Sequence, residues 1–176
     1  IKYVNSDEIS MQLSKLVEGR VIWGGDSTIR KFKNFETSPR CIDLTFADRF
    51  SVSLINSNKF FNLSNNKIKI LANQFYNDTY TMDQFGCSSP TVLLWIGKKE
   101  IVKEKFWLEL QKIVDKKYSN DLSSINKKIS NLTHFALSQK KKFNIIYHKF
   151  NLIRLTNIDD NLDHIHNINF GTFCEM

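Results

Sequence analysis

Strand-like and helix-like segments alternate along this chain of 176 residues, and the alternation restricts its fold more than any other feature of the sequence. Apolar residues recur at helical spacing in three long segments, of which the last two cover about 99–117 and 121–137. Before these two, Thr91 to Gly97 form a continuous apolar run, which is typical of a buried strand. The pattern predicts an α/β fold with a largely parallel sheet.

Stop and turn signals place the other elements. The predicted helices cover about 7–18, 26–35, a segment around 68–76, 99–117 and 121–137. The predicted strands cover 20–23, 40–44, 50–55, 91–97, 143–147, 152–155 and 168–175, with a turn at 56–58. In the last two helices the residues expected to face the core are Val102, Phe106, Leu110, Ile113 and Val114, and then Leu122, Ile125, Ile129, Leu132 and Ala136.

Charge and cysteine content argue against several classes of protein. The net charge of +7 is spread over helix faces and loops, and the one dense run, Lys140–Lys142, reads as a solvated turn, so no nucleic-acid partner is expected. The three cysteines include no CxxC pair, which favours a reduced, cytoplasmic protein over a zinc site or a disulfide framework. No apolar run in the sequence approaches the roughly 18 residues that a membrane span needs.

Cys87 lies on the predicted connection between the segment around 68–76 and the apolar strand. Its neighbours Gly86 and Ser88 are small and would leave the sulfur open to a substrate, as a nucleophile requires. Asp83 and Gln84 either orient this loop or only cap and hydrogen-bond it. The alternative for Cys87 is a buried structural thiol, because free cysteines are among the most buried residues.

A glycine pair follows the first predicted strand. Gly24 and Gly25 precede a helix whose predicted cap is Asp26 or Ser27. A strand, a glycine turn and a helix N-terminus can together present backbone amides to a phosphate, although most glycine pairs are only turns.

His164 and His166 would lie on one face of an extended segment, a spacing that can bind a metal. Asp159, Asp160 and Asp163 are close in sequence, but no third ligand stands out. No metal is therefore expected.

Three short segments occur in a characteristic order: VIWGG at 21–25, DRFS at 48–51, and DQ at 83–84 with CSSP at 87–90. Together they resemble the acyl-CoA reductase (LuxC-type) family, which belongs to the aldehyde dehydrogenase superfamily and supplies fatty aldehyde for bacterial luminescence. The resemblance covers about 21–171. It implies a three-layer αβα fold with a mainly parallel sheet.

The resemblance also implies roles for residues near the cysteine. Cys87 resembles the catalytic nucleophile, which follows a Gln-x-x-Cys or Gln-x-Cys pattern, and Asp83, Gln84 and Ser88 would support its loop. Backbone amides next to Cys87 would supply part of an oxyanion hole.

Cofactor contacts are implied at two places. The turn formed by Gly24, Gly25, Asp26 and Ser27 resembles the glycine turn near the cofactor's phosphates. Phe170, with the glycine after it, resembles the Glu-x-Phe-Gly strand, whose glutamate holds the nicotinamide ribose. In this chain Ile168 or Asn169 stands near the place of that glutamate.

Thr45 replaces the general-base glutamate that hydrolytic members of the superfamily carry. A base that activates water would hydrolyse an acyl-enzyme, whereas a reductase must keep its thioester until hydride arrives. Thr45 therefore favours a reductase over an ordinary dehydrogenase. The resemblance implies that this reductase uses NADPH and acts on acyl-CoA or on an acylated partner protein.

The resemblance divides the chain into 1–44, the tail of a nucleotide-binding domain, and 45–176, part of a catalytic domain. The sequence is expected to be a piece of a longer enzyme, inactive by itself, and the whole enzyme is expected to form a homo-oligomer. Two alternatives remain open: an aldehyde dehydrogenase that oxidises aldehydes, and a non-catalytic domain that keeps the fold.

Overall fold

The computed structural model describes residues 3–159 and 165–176. The chain divides into two compact units, of which the first ends at Arg49 and the second begins at Phe50.

The first unit is a small α/β motif. Its elements are α1 (Asp7–Leu16), β1 (Gly19–Trp23), α2 (Asp26–Lys33) and β2 (Ile42–Phe46). The two strands pair in parallel, with Val21 opposite Leu44. A bidentate ion pair with N–O distances of 2.7 and 2.6 Å joins Arg20 and Asp43, which are directly paired in this ladder.

The second unit carries most of the secondary structure. Its first half contains β3 (Ser51–Asn56), α3 (Ser57–Phe61), α4 (Asn65–Thr79), a short 3-10 helix (Tyr80–Met82) and β4 (Pro90–Ile96). Its second half contains α5 (Glu100–Lys117), α6 (Leu122–Ser138), β5 (Asn144–Tyr147), β6 (Ile153–Thr156), a 3-10 helix (Ile165–Asn167) and β7 (Thr172–Glu175).

Five strands form one sheet in the order β3-β4-β7-β6-β5. Every neighbouring pair is parallel except β5 and β6, which form an antiparallel hairpin. The mainly parallel α/β fold that the sequence predicts is therefore confirmed.

Helices cover both faces of this sheet. Leu93 and Phe173 belong to a core cluster built with α4 and α5, whereas their neighbours Val92 and Cys174 belong to a second cluster that contains Phe135 of α6. Because successive strand residues point to opposite faces, α4 and α5 lie on one side and α6 on the other. The expected αβα layering is present in this unit.

The predicted core face is correct for α5 and only partly correct for α6. All five α5 residues are buried. In α6, Leu132 packs against the second core cluster, but Leu122 and Ile129 are 80% and 50% exposed. The buried residues of α6 are Lys128 and Phe135. The prediction missed Lys128 because it assigned the core stripe to apolar residues, whereas carbonyl oxygens accept from the ammonium group of Lys128 in the core.

Three element boundaries also differ from the prediction. The turn expected at 56–58 is the start of α3, because the Asn56 side chain accepts from the amides of Asn58 and Lys59 and caps the helix. The strand expected at 40–44 covers 42–46. The strand expected at 168–175 begins only at 172, since Phe170 and Gly171 have positive φ.

In residues 3–159 and 165–176, no helix combines the length and the apolar character needed to cross a membrane.

Candidate active site

Cys87 lies on the loop between the 3-10 helix and β4, as predicted, and it is exposed. The amide of Ser89 donates to the carbonyl of Gly86 at 2.9 Å, so Cys87 and Ser88 occupy the tip of a tight turn. The Ser51 hydroxyl, at the start of β3, donates to the Cys87 carbonyl at 2.7 Å. The turn thus presents a thiol outward while its backbone is held from the neighbouring strand.

This turn requires a residue without a side chain at Gly86. A Cβ at that position would lie 2.9 Å from the Ser89 hydroxyl oxygen. That hydroxyl cannot move freely, because it donates to the Asp78 carbonyl of α4 at 2.6 Å. The small residue before Cys87 therefore lets the loop close against the end of α4.

Two residues before the turn have unusual backbone conformations. Asp83 and Gln84 have φ of 50° and 62°, and consecutive left-handed residues other than glycine are rare and strained. The Tyr118 hydroxyl donates to the Asp83 carboxylate at 2.5 Å. The backbone N–H of Gln84 donates to the Thr79 carbonyl at 2.8 Å. These bonds hold the backbone conformation at the start of the cysteine loop, which comprises residues 83–89.

The side chain of Gln84 is buried and uses both of its ends. Its Oε1 accepts from the Gly171 amide at 2.7 Å, and its Nε2 donates to the carbonyls of Thr172 at 3.1 Å and Pro90 at 3.3 Å. Gln84 therefore joins the cysteine loop to the start of β4 and to the segment before β7. Asp83 and Gln84 thus both bond to segments distant along the chain, Asp83 to Tyr118 and Gln84 to the segment before β7.

Phe170 packs directly against the same loop. Its amide donates to the Asp83 carbonyl at 3.3 Å, and its ring meets the ring of Phe85 edge to face with centroids 5.2 Å apart. Ile168 is buried in the core, and the side-chain oxygen of Asn169 accepts from Asn131 at 3.2 Å. No carboxylate therefore stands at 168 or 169, the positions near which the resemblance places the ribose-binding glutamate.

Three tyrosines pack side by side behind the loop. Tyr76 and Tyr80 stack with ring centroids 5.1 Å apart, and Tyr118 meets Tyr80 at 4.7 Å. Burial raises the pKa of each of the three hydroxyls, and for Tyr118 the hydrogen bond to Asp83 raises the pKa further. All three tyrosines are therefore neutral at physiological pH, and Tyr118 remains a donor to Asp83.

The glycine turn lies in the first unit. Gly24 donates to the Phe46 carbonyl at 3.2 Å, and Gly25 is the N-cap of α2. The expectation that Asp26 or Ser27 caps this helix is wrong: the Asp48 carboxylate accepts from the Asp26 amide at 3.1 Å. A carboxylate therefore already occupies part of the helix N-terminus at which a phosphate contact is predicted.

Of the predicted site residues, the structure brings Asp83, Gln84, Cys87, Ser88 and Phe170 together in the second unit. Gly24, Gly25, Asp26 and Ser27 lie together in the first unit. Sequence reasoning missed Lys128 and Tyr118, which contact the cysteine loop or the segment packed on it. Neither residue has a local sequence signal for its role, since both contacts depend on residues distant along the chain.

The metal hypothesis rests partly on residues outside the structural description. His164, Asp160 and Asp163 lie outside the described residues. Among the residues that are described, no group of three or more histidine, cysteine or acidic side chains is arranged to hold a metal ion.

Several solved structures with a similar fold are aldehyde dehydrogenases. The NAD-dependent aldehyde dehydrogenase of Sinorhizobium meliloti matches with a TM-score of 0.67 and 12% identity over 97% of this chain and 36% of its own. Betaine aldehyde dehydrogenase of Staphylococcus aureus, in complex with NAD⁺, matches with a TM-score of 0.64 and 15% identity over 96% of this chain and 36% of its own. The NADP-dependent glyceraldehyde-3-phosphate dehydrogenase of Bacillus halodurans, complexed with NADP, matches with a TM-score of 0.58 and 8% identity over 91% and 34%.

The fold is thus that of the aldehyde dehydrogenase superfamily, and the chain spans about a third of the length of these structures. No curated protein sequence matches the chain. The acyl-CoA reductase (LuxC) family matches residues 3–151, and the chain belongs to that family.

Proposed function

We propose that this chain carries the cysteine site of an acyl-CoA reductase that converts a fatty acyl thioester to an aldehyde. The observation that carries the proposal is the exposed Cys87 at the tip of a turn. The residues before this turn, Asp83 and Gln84, are held in left-handed conformations by side-chain hydrogen bonds. A nucleophile needs such a combination of access and fixed position.

In the proposed reaction, the Cys87 thiolate attacks the thioester carbonyl of acyl-CoA or of an acylated partner protein. The bond to the donor's sulfur breaks, and the donor leaves as a thiol or thiolate. The acyl group is then a thioester on Cys87. Backbone amides of the turn would stabilise the oxyanion that forms at the carbonyl.

A nicotinamide cofactor, which we propose to be NADPH, would supply the hydride for the second half of the reaction. Phe170 is suited to line its nicotinamide end, because its ring and backbone pack on the cysteine loop. Hydride addition to the carbonyl of the Cys87 thioester would give a hemithioacetal alkoxide, and cleavage of its C–S bond would release the aldehyde and restore the Cys87 thiolate. The resemblance places Thr45 where hydrolytic members carry their general-base glutamate, and this supports a thioester that persists until it is reduced.

The glycine turn is the proposed contact to the cofactor's phosphates, and Asp48 makes that assignment testable. Its carboxylate accepts from the Asp26 amide and repels an anion at the same place. If a phosphate binds there, Asp48→Asn keeps a capping acceptor but removes the charge, and NADPH should bind a few-fold more tightly by fluorescence titration. Unchanged affinity would place the phosphates elsewhere.

Acyl transfer to Cys87 is the decisive experiment. The natural polypeptide that contains this sequence is incubated with a radiolabelled long-chain acyl-CoA, digested, and searched for a thioester on the Cys87 peptide. We expect label there, its loss on addition of NADPH, and release of aldehyde in equal amount. Cys87→Ala should carry no label, whereas Cys41→Ala should behave as wild type.

Absence of label at Cys87, with the thiol also inert to alkylation, would overturn the proposal and favour a non-catalytic domain. Loss of label to free fatty acid rather than aldehyde would instead favour an aldehyde dehydrogenase.

For the native enzyme we also propose a homo-oligomer, supported by the edge strands β3 and β5, whose outer backbone groups can pair with a second copy. Sedimentation velocity of the natural polypeptide tests that state.

A further inference from the structure

Lys128 is a lysine in the interior of the second unit. It lies in the middle of α6, with only 2% of the residue exposed. Burial lowers the pKa of its ammonium group to about 7. Within the described part of the chain, no carboxylate forms an ion pair with it. A buried amine without an anionic partner is costly, so its contacts must explain its position.

The Lys128 amine donates to two backbone carbonyls. It contacts the oxygen of Phe150 at 2.5 Å and the oxygen of Phe170 at 2.7 Å, and it lies 4.9 Å from the centroid of the Phe150 ring. A neutral lysine still has two N–H groups, so both carbonyls can be satisfied in either protonation state. Lys128 thus joins α6 to the β5–β6 turn and to the segment before β7.

The hydrogen bond from Lys128 to the Phe170 carbonyl reaches a peptide group that also contacts Gln84. The carbonyl of Phe170 and the amide of Gly171 belong to one planar peptide unit. Its oxygen accepts from Lys128, and its N–H donates to Oε1 of Gln84 at 2.7 Å. One peptide group therefore connects the amine of α6 to the glutamine three residues before Cys87.

This peptide group would not keep its orientation unaided. Phe170 and Gly171 have φ of 53° and 76°, so two consecutive residues are left-handed, and one of them is a bulky phenylalanine. A donor on the carbonyl side and an acceptor on the amide side fix the plane from both ends. A charge on Lys128 would also polarise the peptide and strengthen its N–H as a donor to Gln84.

We infer that Lys128 is a positioning residue for the cysteine loop, acting through the Phe170–Gly171 peptide and the Gln84 side chain. The inference concerns the geometry of the loop, and its consequence for catalysis rests on the proposed function of Cys87. Removing the amine should release the peptide, free Gln84, and loosen residues 83–89.

The variants are Lys128→Met, which keeps the aliphatic length without a donor, and Lys128→Arg, which keeps donors at the same place. Lys127→Met is the matched control, because Lys127 is the exposed neighbour on the same helix. All are made in the natural polypeptide that contains this sequence. Amide hydrogen exchange is followed by mass spectrometry in peptides covering 83–89 and 168–172, with 102–114 of α5 as the reference.

We expect exchange in K128M to be about tenfold faster in both loop peptides and unchanged in α5, since the opening is local. K128R should exchange close to wild type, and K127M should match wild type. Equal acceleration in α5 would mean that Lys128 only stabilises the unit as a whole. That result, or no acceleration in the loops, would overturn the inference.

A second readout is the single-turnover rate of Cys87 acylation. In K128M this rate should fall about tenfold at saturating acyl-CoA, with the half-saturating concentration unchanged, because misplacement of the nucleophile slows chemistry more than binding. K128R should recover most of the rate. A wild-type rate in K128M would overturn the inference, whereas absence of acylation in the wild type would overturn the proposed function and leave the exchange experiment to decide on Lys128.

Discussion

At the scale of single residues, Gly171 is the glycine with the least room for a side chain. Its φ of +76° is unfavourable for other residues, and a Cβ there would lie 2.1 Å from the Asn151 carbonyl oxygen and 2.7 Å from the Tyr80 hydroxyl. Tyr80 cannot withdraw easily, because that hydroxyl donates to the same carbonyl at 3.0 Å.

Gly171→Ala should therefore lower the free energy of unfolding by roughly 3 kcal/mol, from backbone strain and overpacking together. Gly19→Ala is the matched control, since its Cβ would meet nothing closer than the Ile42 carbonyl at 3.8 Å. Urea denaturation of both variants measures the difference. An equal, small effect in the two would contradict the steric argument.

The raised pKa of Tyr118 predicts how the stability of the protein depends on pH. Its pKa is raised in the folded state, so the folded protein holds this proton more tightly than the unfolded chain, whose tyrosines titrate near 10. The contribution of Tyr118 to stability is complete below pH 10 and is lost as the pH rises above it. The free energy of unfolding should fall above pH 10 in the wild type and fall less steeply in Tyr118→Phe.

At neutral pH, Tyr118→Phe should cost about 1–2 kcal/mol, because it removes the hydrogen bond to Asp83. Tyr147, which is 60% exposed, offers the control: Tyr147→Phe should follow the wild-type stability curve. Urea titrations between pH 7 and 11 test both statements. A Y118F curve parallel to wild type above pH 10 would refute the assignment.

Residues of the site differ in how far the sequence predicts them. Cys87 is found from its own surroundings, since small neighbours and a following apolar strand are local signals. Lys128 and Tyr118 are not, because a lysine in an amphipathic helix ordinarily faces solvent and a tyrosine after α5 has no local reason to meet Asp83. Their roles come from contacts between segments 35 to 42 residues apart.

At the scale of elements, β6 and β7 are joined by a buried ion pair as well as by their ladder. Arg154 of β6 donates to the Glu175 carboxylate of β7 at 2.7 Å and to Glu104 of α5 at 2.8 Å, and its guanidinium lies 5.0 Å from the Trp107 ring centroid. Arg154 and Glu175 are both buried. The sequence predicts both strands, but the burial of their charges follows from the register, which it does not specify.

Arg154→Met should destabilise the protein by about 3–5 kcal/mol, because it leaves Glu175 buried without a countercharge. The double variant Arg154→Met with Glu175→Gln should recover part of that loss. Lys112→Met, which breaks an exposed pair with Glu109, should cost no more than about 0.5 kcal/mol. Additive effects of the two core substitutions in denaturation experiments would argue against coupling.

At the scale of the whole molecule, the two units differ in the size of their hydrophobic cores. Both hydrophobic clusters lie between Phe60 and Cys174, within the second unit. The first unit buries few large apolar side chains, among them Ile22 and Ile29, and its sheet has two strands. A two-stranded sheet is marginal by itself in water.

Residues 50–176 expressed alone should therefore unfold in one cooperative transition, followed by circular dichroism on heating, and residues 1–49 alone should show none. The reason is that a separate core of this size supports independent folding. Loss of cooperativity in residues 50–176 would show that the second unit depends on the first for its stability.

The three tryptophans are divided between the units, so intrinsic fluorescence can report on each unit separately. Trp23 in the first unit is 79% exposed and stacks on Phe46, whereas Trp95 and Trp107 pack around Phe106 in the second. Emission from Trp23 should be red-shifted, and emission from the other two blue-shifted until their core opens. Trp23→Phe would leave a spectrum that reports the second unit alone, so melting of the two units could be told apart in a single cuvette without any label.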